Sequence, residues 1–172
     1  QQFDAIERSG FSIAGLLDRR DPAFVSGGVG IGAGMVLVGT THGEVIALDV
    51  ADGSERWRSR VGTEVGAAPT AGAGKVFVQT IDDRVSALDA DSGDLVWTYD
   101  SQMPLLTLRG TSAPVFDQGV LYTGFANGKV VALRGENGEP IWEQRVMLPE
   151  GRSELDRIVD VDARVLLDGG SM

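Results

Sequence analysis

From residue 25 onward, apolar and polar residues follow the short alternating pattern of antiparallel β-strands. Glycine-containing turns such as Ala73-Gly74 separate the apolar runs, and glycine supplies the positive φ that tight hairpins need. At one turn, Asp82-Asp83 replaces the glycine; aspartate tolerates the left-handed region, so this hairpin is expected to form as well. The pattern predicts strands at residues 28–32, 35–40, 44–49, 55–61, 66–71, 75–80, 84–89, 95–99, 111–116, 120–124, 129–134 and 140–146.

A longer motif is superimposed on these strands. Residues 47–57 contain an alanine, an aspartate, a glycine and a tryptophan at fixed spacing, and the same order returns at 87–97 and at 132–142, where Arg134 replaces the aspartate. The three tryptophans of the chain are separated by 40 and 45 residues, in phase with the glycines. Such self-similarity indicates a repeat architecture. The residues with an expected structural role are Trp57, Trp97, Trp142, Gly53, Gly93 and Gly138.

Each repeat unit contains four short strands, and a sheet of this size cannot bury both of its faces alone. Units of this kind stack face to face, with a large tryptophan filling the gap between neighbours. The sequence therefore predicts an all-β partial β-propeller of about three four-stranded antiparallel blades plus part of a fourth. The expected divisions are an N-terminal arm at 1–24, outside the repeat, and blades within 25–172, at 25–62, 63–101, 109–147 and, in part, 155–172.

Composition excludes several classes of function. The net charge of −10 and the pI near 4.5 argue against a nucleic-acid groove, which requires clustered lysine and arginine. The absence of cysteine excludes a disulfide framework and thiolate metal sites. No apolar run is long enough to span a bilayer. The chain starts without methionine, and we expect it to be a piece of a longer protein.

The connection between the second and third units is the most unusual segment. The repeat spacing increases there, which indicates an insertion at residues 102–109. Leu105, Leu106 and Leu108 are large apolar residues where a loop is normally polar, and Arg109 adds a planar donor favoured at interfaces. Two interpretations remain open: the leucines pack beneath the blade edge, or they form part of a docking surface.

Other candidate sites have simpler explanations. The acidic cluster of Glu154, Asp156, Asp160 and Asp162 fits either a hard-cation site or a solvated loop or partner-facing surface neutralised by the interleaved arginines, and the second interpretation is favoured. His42, the only histidine, lies in a turn without an evident nucleophile beside it. The glycine-rich stretch 28–32 resembles a nucleotide loop but falls in strand register with no helix after it.

The repeated motif resembles the tryptophan-docking repeat of quinoprotein dehydrogenases and their non-enzymatic relatives, which are eight-bladed β-propellers. Residues 103–114, 141–145 and 151–162 are more specifically similar to the BamB family of the outer-membrane β-barrel assembly (BAM) machinery.

The resemblance implies a non-catalytic scaffold at the periplasmic face of the bacterial outer membrane. The full protein would carry a lipid anchor, and the scaffold would bind the POTRA domains of BamA to assist folding and insertion of β-barrel proteins. No cofactor or metal is implied. The matching partner-binding residues are Leu105, Leu106, Leu108, Arg109, Asp160 and Asp162.

Two further functions remain as alternatives. A pyrroloquinoline-quinone-dependent dehydrogenase would need a quinone pocket, Ca²⁺ ligands and typically a vicinal disulfide, and the chain has no cysteine. Binding of polypeptides, including unfolded outer-membrane proteins, by pairing at sheet edges is compatible with the scaffold role.

Overall fold

The computed structural model describes residues 25–101, 112–126 and 128–146, and these form strands and turns without a helix. Three antiparallel sheets of four strands each follow one another along the chain, with strand orders β1-β2-β3-β4, β5-β6-β7-β8 and β9-β10-β11-β12. The expected all-β partial propeller is therefore confirmed for three four-stranded blades. The expected arm at 1–24 and partial fourth blade at 155–172 lie outside the described residues. The strands are β1 (Val25–Gly32), β2 (Met35–Thr40), β3 (Glu44–Asp49), β4 (Glu55–Arg60), β5 (Thr70–Gly72), β6 (Lys75–Gln79), β7 (Arg84–Asp89), β8 (Leu95–Asp100), β9 (Val115–Asp117), β10 (Val120–Gly124), β11 (Lys129–Arg134) and β12 (Pro140–Arg145).

We call the three sheets blades 1, 2 and 3. The turns between first and second strands and between third and fourth strands lie at one end of each blade, here called the hairpin end. The turns between second and third strands and the connections between blades lie at the opposite end, here called the connection end. This arrangement follows from the up-and-down strand order of each sheet.

The innermost strands differ from the sequence prediction. Strand β5 covers Thr70–Gly72 instead of 66–71, and β9 covers Val115–Asp117 instead of 111–116. Pro69 and Pro114 directly precede these strands and have no N–H to donate to a ladder, so the continuous strands start after them. In blade 2, an isolated bridge between Val65 and Thr80 lies before the proline. Strand β1 has no proline and extends over eight residues, Val25–Gly32, with an irregular register between Val25 and Val29.

The innermost strands approach one another closely. A Cβ on Gly30 would collide with the carbonyl oxygen of Pro69, and one on Gly72 would collide with the ring of Phe116. Small residues are therefore required where neighbouring blades converge, and this accounts for the glycine residues in the first strands of blades 1 and 2.

The core lies between the blades. One buried cluster joins Leu37, Val45 and Ala47 of blade 1 to Val76 and Leu88 of blade 2. A second cluster joins blade 2 to blade 3 and consists of Phe77, Val85, Ala87, Trp97, Leu121, Phe125, Val131 and Leu133. Blade 2 therefore buries side chains of both its faces, as a blade stacked between two neighbours requires.

The turn at Asp82-Asp83 forms the expected hairpin. Asp83 adopts φ +57°, so aspartate occupies the left-handed region at the place where the other units use glycine. The Asp83 amide donates to the Thr80 carbonyl oxygen at 3.2 Å, and Thr80 Oγ1 bonds to Asp82 at 2.5 Å. Local hydrogen bonds from short polar side chains compensate for the missing glycine.

Candidate docking surface

The tryptophans lie at the junctions between blades. Trp57 of β4 is 7% exposed and donates its indole N–H to the Ala90 carbonyl oxygen, at 2.8 Å, in the hairpin-end turn of blade 2. Trp97 of β8 is 9% exposed and donates to the Gly135 carbonyl oxygen of blade 3 at 3.1 Å. Each indole thus satisfies its polar atom on the next blade while burying its ring, which fixes the relative position of the two blades.

The repeated glycines lie directly under these rings. A Cβ on Gly93 would be 2.7 Å from Cε3 of Trp57, and one on Gly138 would be 2.5 Å from Cε3 of Trp97. Both glycines also have a positive φ. The spacing of glycine and tryptophan in the repeat therefore has a structural reason: the glycine of one blade leaves room for the indole of the preceding one.

Trp142 and Gly53 lack such partners in the described part of the chain. Trp142 is 44% exposed and has a tilted contact with Tyr122 of its own blade, with ring centroids 6.2 Å apart. No heavy atom is found within 4 Å of a Cβ built on Gly53. Among the described residues, no neighbouring blade covers the Trp142 indole of blade 3 or the Gly53 turn of blade 1.

Buried polar side chains connect blades 2 and 3, and sequence reasoning missed them. Gln79 is fully buried, donates to the Gly124 carbonyl oxygen at 2.8 Å and accepts from Thr123 Oγ1 at 2.5 Å. The Asp83 carboxylate accepts from the Ala126 amide at 3.3 Å. A polar residue in an apolar strand was the available signal, but the sequence does not identify a partner 44 residues away.

A charged network joins the outermost strands of the same two blades. The Glu143 carboxylate accepts from Tyr99 Oη at 2.6 Å and from Lys129 Nζ at 2.8 Å. The bonds from Lys129 and Tyr99 lower the pKa of Glu143, and burial together with the Glu143 contact raises the pKa of Tyr99. Glu143 therefore remains ionised and Tyr99 protonated at neutral pH, and the network is maintained.

The first connection, residues 61–69, is held firmly at the connection end. The Val65 amide donates to the Thr40 carbonyl oxygen at 3.1 Å, and the Gly66 amide donates to Gln79 at 3.0 Å. Val65 is fully buried and a Cβ on Gly39 would collide with it. This connection is a packed element of the junction between blades 1 and 2.

The second connection, residues 101–114, is five residues longer, and its two ends are described. The Ser101 amide donates to the Asp83 carbonyl oxygen at 3.1 Å, and both Ser101 and Ser112 are buried. Arg84 Nε donates to Asp100 at 2.7 Å, and this bond raises the pKa of Arg84, which stays charged. At the other end, Thr70 Oγ1 donates to the Pro114 carbonyl oxygen at 2.6 Å, so both ends of the second connection are attached to the connection end of blade 2.

All of the predicted partner-binding residues lie outside the described residues. These residues are Leu105, Leu106, Leu108 and Arg109 in the second connection and Asp160 and Asp162 after β12. Their assignment stays a prediction, as does the choice between a packed and a docking role for the leucines.

The other candidate sites from the sequence show no sign of a functional centre among the described residues. His42 is exposed in the turn between β2 and β3, and the glycine-rich stretch 28–32 lies within β1. No group of histidine, aspartate or glutamate in residues 25–101, 112–126 and 128–146 is arranged to hold a metal ion, and the cluster around Asp156 lies outside these ranges. The same ranges contain no helix with the length and apolar character of a membrane-spanning segment.

Comparison with known proteins supplies the family. A family model described as outer membrane protein assembly factor BamB matches residues 5–172. The chain is 46% identical to BamB of Xanthomonas campestris over 155 residues, which is 90% of this chain and 38% of that protein. It is 42% identical to BamB of Escherichia coli over 88% of this chain and 38% of that protein. The chain therefore spans about two fifths of the length of these curated relatives.

Solved structures agree with this result. The crystal structure of BamB from Moraxella catarrhalis superposes with a TM-score of 0.78 at 34% identity, covering 83% of this chain and 44% of that one. A quinohemoprotein alcohol dehydrogenase from Comamonas testosteroni gives a TM-score of 0.59 at 26% identity over 70% of this chain and 21% of that one. The resemblance inferred from the repeat is confirmed: this chain belongs to the BamB family of outer membrane protein assembly factors.

Proposed function

We propose that this chain forms part of a non-catalytic scaffold of the BAM complex at the periplasmic face of the outer membrane. The scaffold binds the POTRA domains of BamA and assists folding and insertion of β-barrel proteins. The observation that carries the proposal is membership of the BamB family over nearly the whole chain. The role in outer-membrane protein assembly is supported by the relatives, which are BamB assembly factors. The contact with BamA is supported by the resemblance of the second connection, and of Asp160 and Asp162, to the partner-binding residues of the BamB family.

The anchoring of the second connection supports its role as the docking segment. Its first end is attached to blade 2 by the bond of the Ser101 amide to Asp83 and by the Arg84–Asp100 ion pair. Its second end is attached to blade 2 by the bond from Thr70 Oγ1 to the Pro114 carbonyl oxygen at 2.6 Å. A segment supported in this way can present side chains at low entropic cost, which favours binding. Leu106, Leu108 and Arg109 combine apolar and planar cationic groups, as in the centre of a protein interface.

The docking proposal predicts a loss of affinity for the isolated POTRA domains of BamA. Leu106→Ala, Leu108→Ala and Arg109→Ala are each expected to weaken binding by about 1 to 3 kcal/mol, measured by calorimetry, while thermal melting is unchanged. Asp160→Asn and Asp162→Asn are expected to slow association and reduce its dependence on salt, because both aspartates act by charge complementarity.

Matched controls come from the hairpin end. Leu95 is 62% exposed on β8, and Arg56 pairs with Asp49 at an exposed site. Leu95→Ala and Arg56→Ala are expected to bind like wild type. Full affinity in a Leu108→Ala, Arg109→Ala double variant would refute the docking assignment, whereas a lost fold would show that the leucines pack beneath the blade.

The dehydrogenase alternative shares the fold but predicts a bound cofactor. A scaffold without a quinone site leaves the absorbance spectrum of added pyrroloquinoline quinone and Ca²⁺ unchanged. A shifted quinone spectrum that depends on the protein would favour the dehydrogenase instead.

A second function, pairing with extended polypeptides, is favoured by the edge of β8. The outermost strands of sheets are commonly protected by charge or proline. Strand β4 carries three arginines, and β12 begins with Pro140 and ends with Arg145. Strand β8, with the sequence LVWTYD, has no lysine, arginine or proline, and it exposes Leu95 and Val96. Its free main-chain groups match those of another strand.

Val96→Lys is therefore expected to reduce binding of a synthetic peptide of alternating valine and threonine, because a lysine on the edge opposes strand addition. The measurement is fluorescence anisotropy of the labelled peptide. Val50 is exposed in the turn between β3 and β4, so Val50→Lys is the matched control and is expected to bind normally. Equal binding by both variants would exclude the β8 edge.

A further inference from the structure

A cavity of about 310 Å³ opens between blades 2 and 3 at their hairpin ends, remote from the second connection. Its walls include the side chains of Lys75, Phe116, Arg134 and Glu136 and the backbone at Gly135. Cavities of this size accommodate small organic ligands. We call this cavity the hairpin-end cleft.

Phe116 gives the cleft an apolar wall. Its ring stacks on Phe77 with centroids 5.0 Å apart, and it packs against Gly72 of the neighbouring blade. The ring is partly buried and is fixed by its contact with Phe77, so the part of it that lines the cleft is a fixed aromatic surface. Such a surface favours an apolar or aromatic group of a ligand.

Two cations line the same cleft. The Lys75 side chain has no hydrogen bond or ion pair among the residues that the structure describes. Arg134 Nε is 3.9 Å from Glu139 Oε2, and both of these side chains are more than half exposed. The Asp89 carboxylate accepts hydrogen bonds from the backbone amides of Ser92 and Asp91, and these bonds lower its pKa. The positive charge of Lys75 lowers the pKa of Asp89 as well, but Asp89 is already bonded within its own turn. The cations therefore retain donors for another anion.

The junction between blades 1 and 2 provides an internal comparison. The strand register places Met35 in blade 1 where blade 2 has Lys75, and Asp89 in blade 2 where blade 3 has Arg134. Met35 is buried, and Asp89 bonds to its own turn. The cation pair is thus specific to the second junction, in a chain whose net charge is −10. The packing of a blade junction does not require these two cations.

We propose that the hairpin-end cleft binds a small organic anion, a carboxylate carried on an apolar or aromatic body. Lys75 and Arg134 bind the carboxylate through charge-assisted hydrogen bonds, and the apolar body lies against Phe116. Glu136, on the rim, disfavours a second negative charge on the ligand.

The test uses the 172-residue chain and 3-phenylpropionate as the probe, with the neutral amide 3-phenylpropionamide as its matched control. Binding is measured by calorimetry and by the change in the NMR chemical shift of the Gly135 amide. The carboxylate is expected to bind about tenfold more tightly than the amide, the size of one charge-assisted hydrogen bond. Equal affinity for both probes, or no binding of either, would overturn the proposal.

The test variants replace the two cations of the cleft with the residues found at the equivalent positions of the first blade junction. Lys75→Met and Arg134→Asp copy the residues of the first junction, so both are compatible with a blade interface. Each is expected to weaken carboxylate binding about tenfold without lowering the melting temperature. Arg60 is exposed at the connection end, and Arg60→Asp makes the same charge change as Arg134→Asp without touching the cleft. Equal effects of Arg60→Asp and Arg134→Asp would mean general electrostatics and would refute the site.

The carboxylate can come from a free metabolite or from the end of a peptide. An acetylated tripeptide ending in phenylalanine, compared with its amide, separates these sources. Tighter binding of the peptide acid than of 3-phenylpropionate supports a peptide terminus, and weaker binding supports a small free acid. Both results support the cleft as a carboxylate site; inorganic phosphate binding as tightly as 3-phenylpropionate would contradict the role of Phe116.

Discussion

Replacing Trp97 with alanine is expected to lower the free energy of unfolding by about 3 kcal/mol or more. Trp97 is 9% exposed, bonds to the Gly135 carbonyl oxygen at 3.1 Å and packs against Phe77 with ring centroids 5.9 Å apart. Its removal leaves a cavity between blades 2 and 3 and a buried carbonyl group without its donor. Urea unfolding followed by far-ultraviolet circular dichroism measures the loss.

Trp142 is the matched control because it has the same position in blade 3 but is 44% exposed. Trp142→Ala is expected to cost about 1 kcal/mol, because much of its ring is already in water. Equal losses at the two positions would show that the indole is not the element that fixes the junction between blades 2 and 3.

Gly138→Ala is expected to destabilise the chain through two separate terms. Gly138 has φ +75°, which costs an L-residue about 1 to 2 kcal/mol. The added methyl would also be 2.5 Å from Cε3 of Trp97, and overpacking of this kind costs about 1 to 3 kcal/mol more. The indole cannot retreat, because it is buried between the two blades.

Gly53 separates the two terms. It has nearly the same φ, +73°, but no atom within 4 Å of a built Cβ. The loss of unfolding free energy in Gly53→Ala therefore contains only the backbone cost. The larger loss expected in Gly138→Ala, minus that in Gly53→Ala, measures the packing of the Trp97 indole against the turn. Indistinguishable melting curves for Gly53→Ala and Gly138→Ala would contradict this account of the repeat.

Much of the blade architecture could be predicted because its causes are local. The second, third and fourth strands of each unit are specified by apolar runs and by turns with left-handed residues. Even the turn without glycine forms, because Asp83 adopts φ +57°. The first strands were less predictable, because a run of small apolar residues resembles a strand although Pro69 and Pro114 cannot donate to its ladder.

The candidate docking site was predicted from an exception to the repeat and from family resemblance. The longer second connection is visible as a change in spacing, and its attachment at Ser101 appears in the structure. The hairpin-end cleft was not predicted. Arg134 was evident as a departure from the motif, but its position beside Lys75 depends on two blades meeting.

The sequence by itself determined the second, third and fourth strands of each unit, the turns and the repeating tryptophan and glycine, because backbone geometry and side-chain alternation act over a few neighbouring residues. Only the tertiary structure decided which groups meet between blades. Gln79 and Thr123 are 44 residues apart, and Trp97 bonds to a carbonyl group 38 residues away. Such partners depend on how one sheet rotates against the next, and that rotation results from the packing of all the buried side chains together.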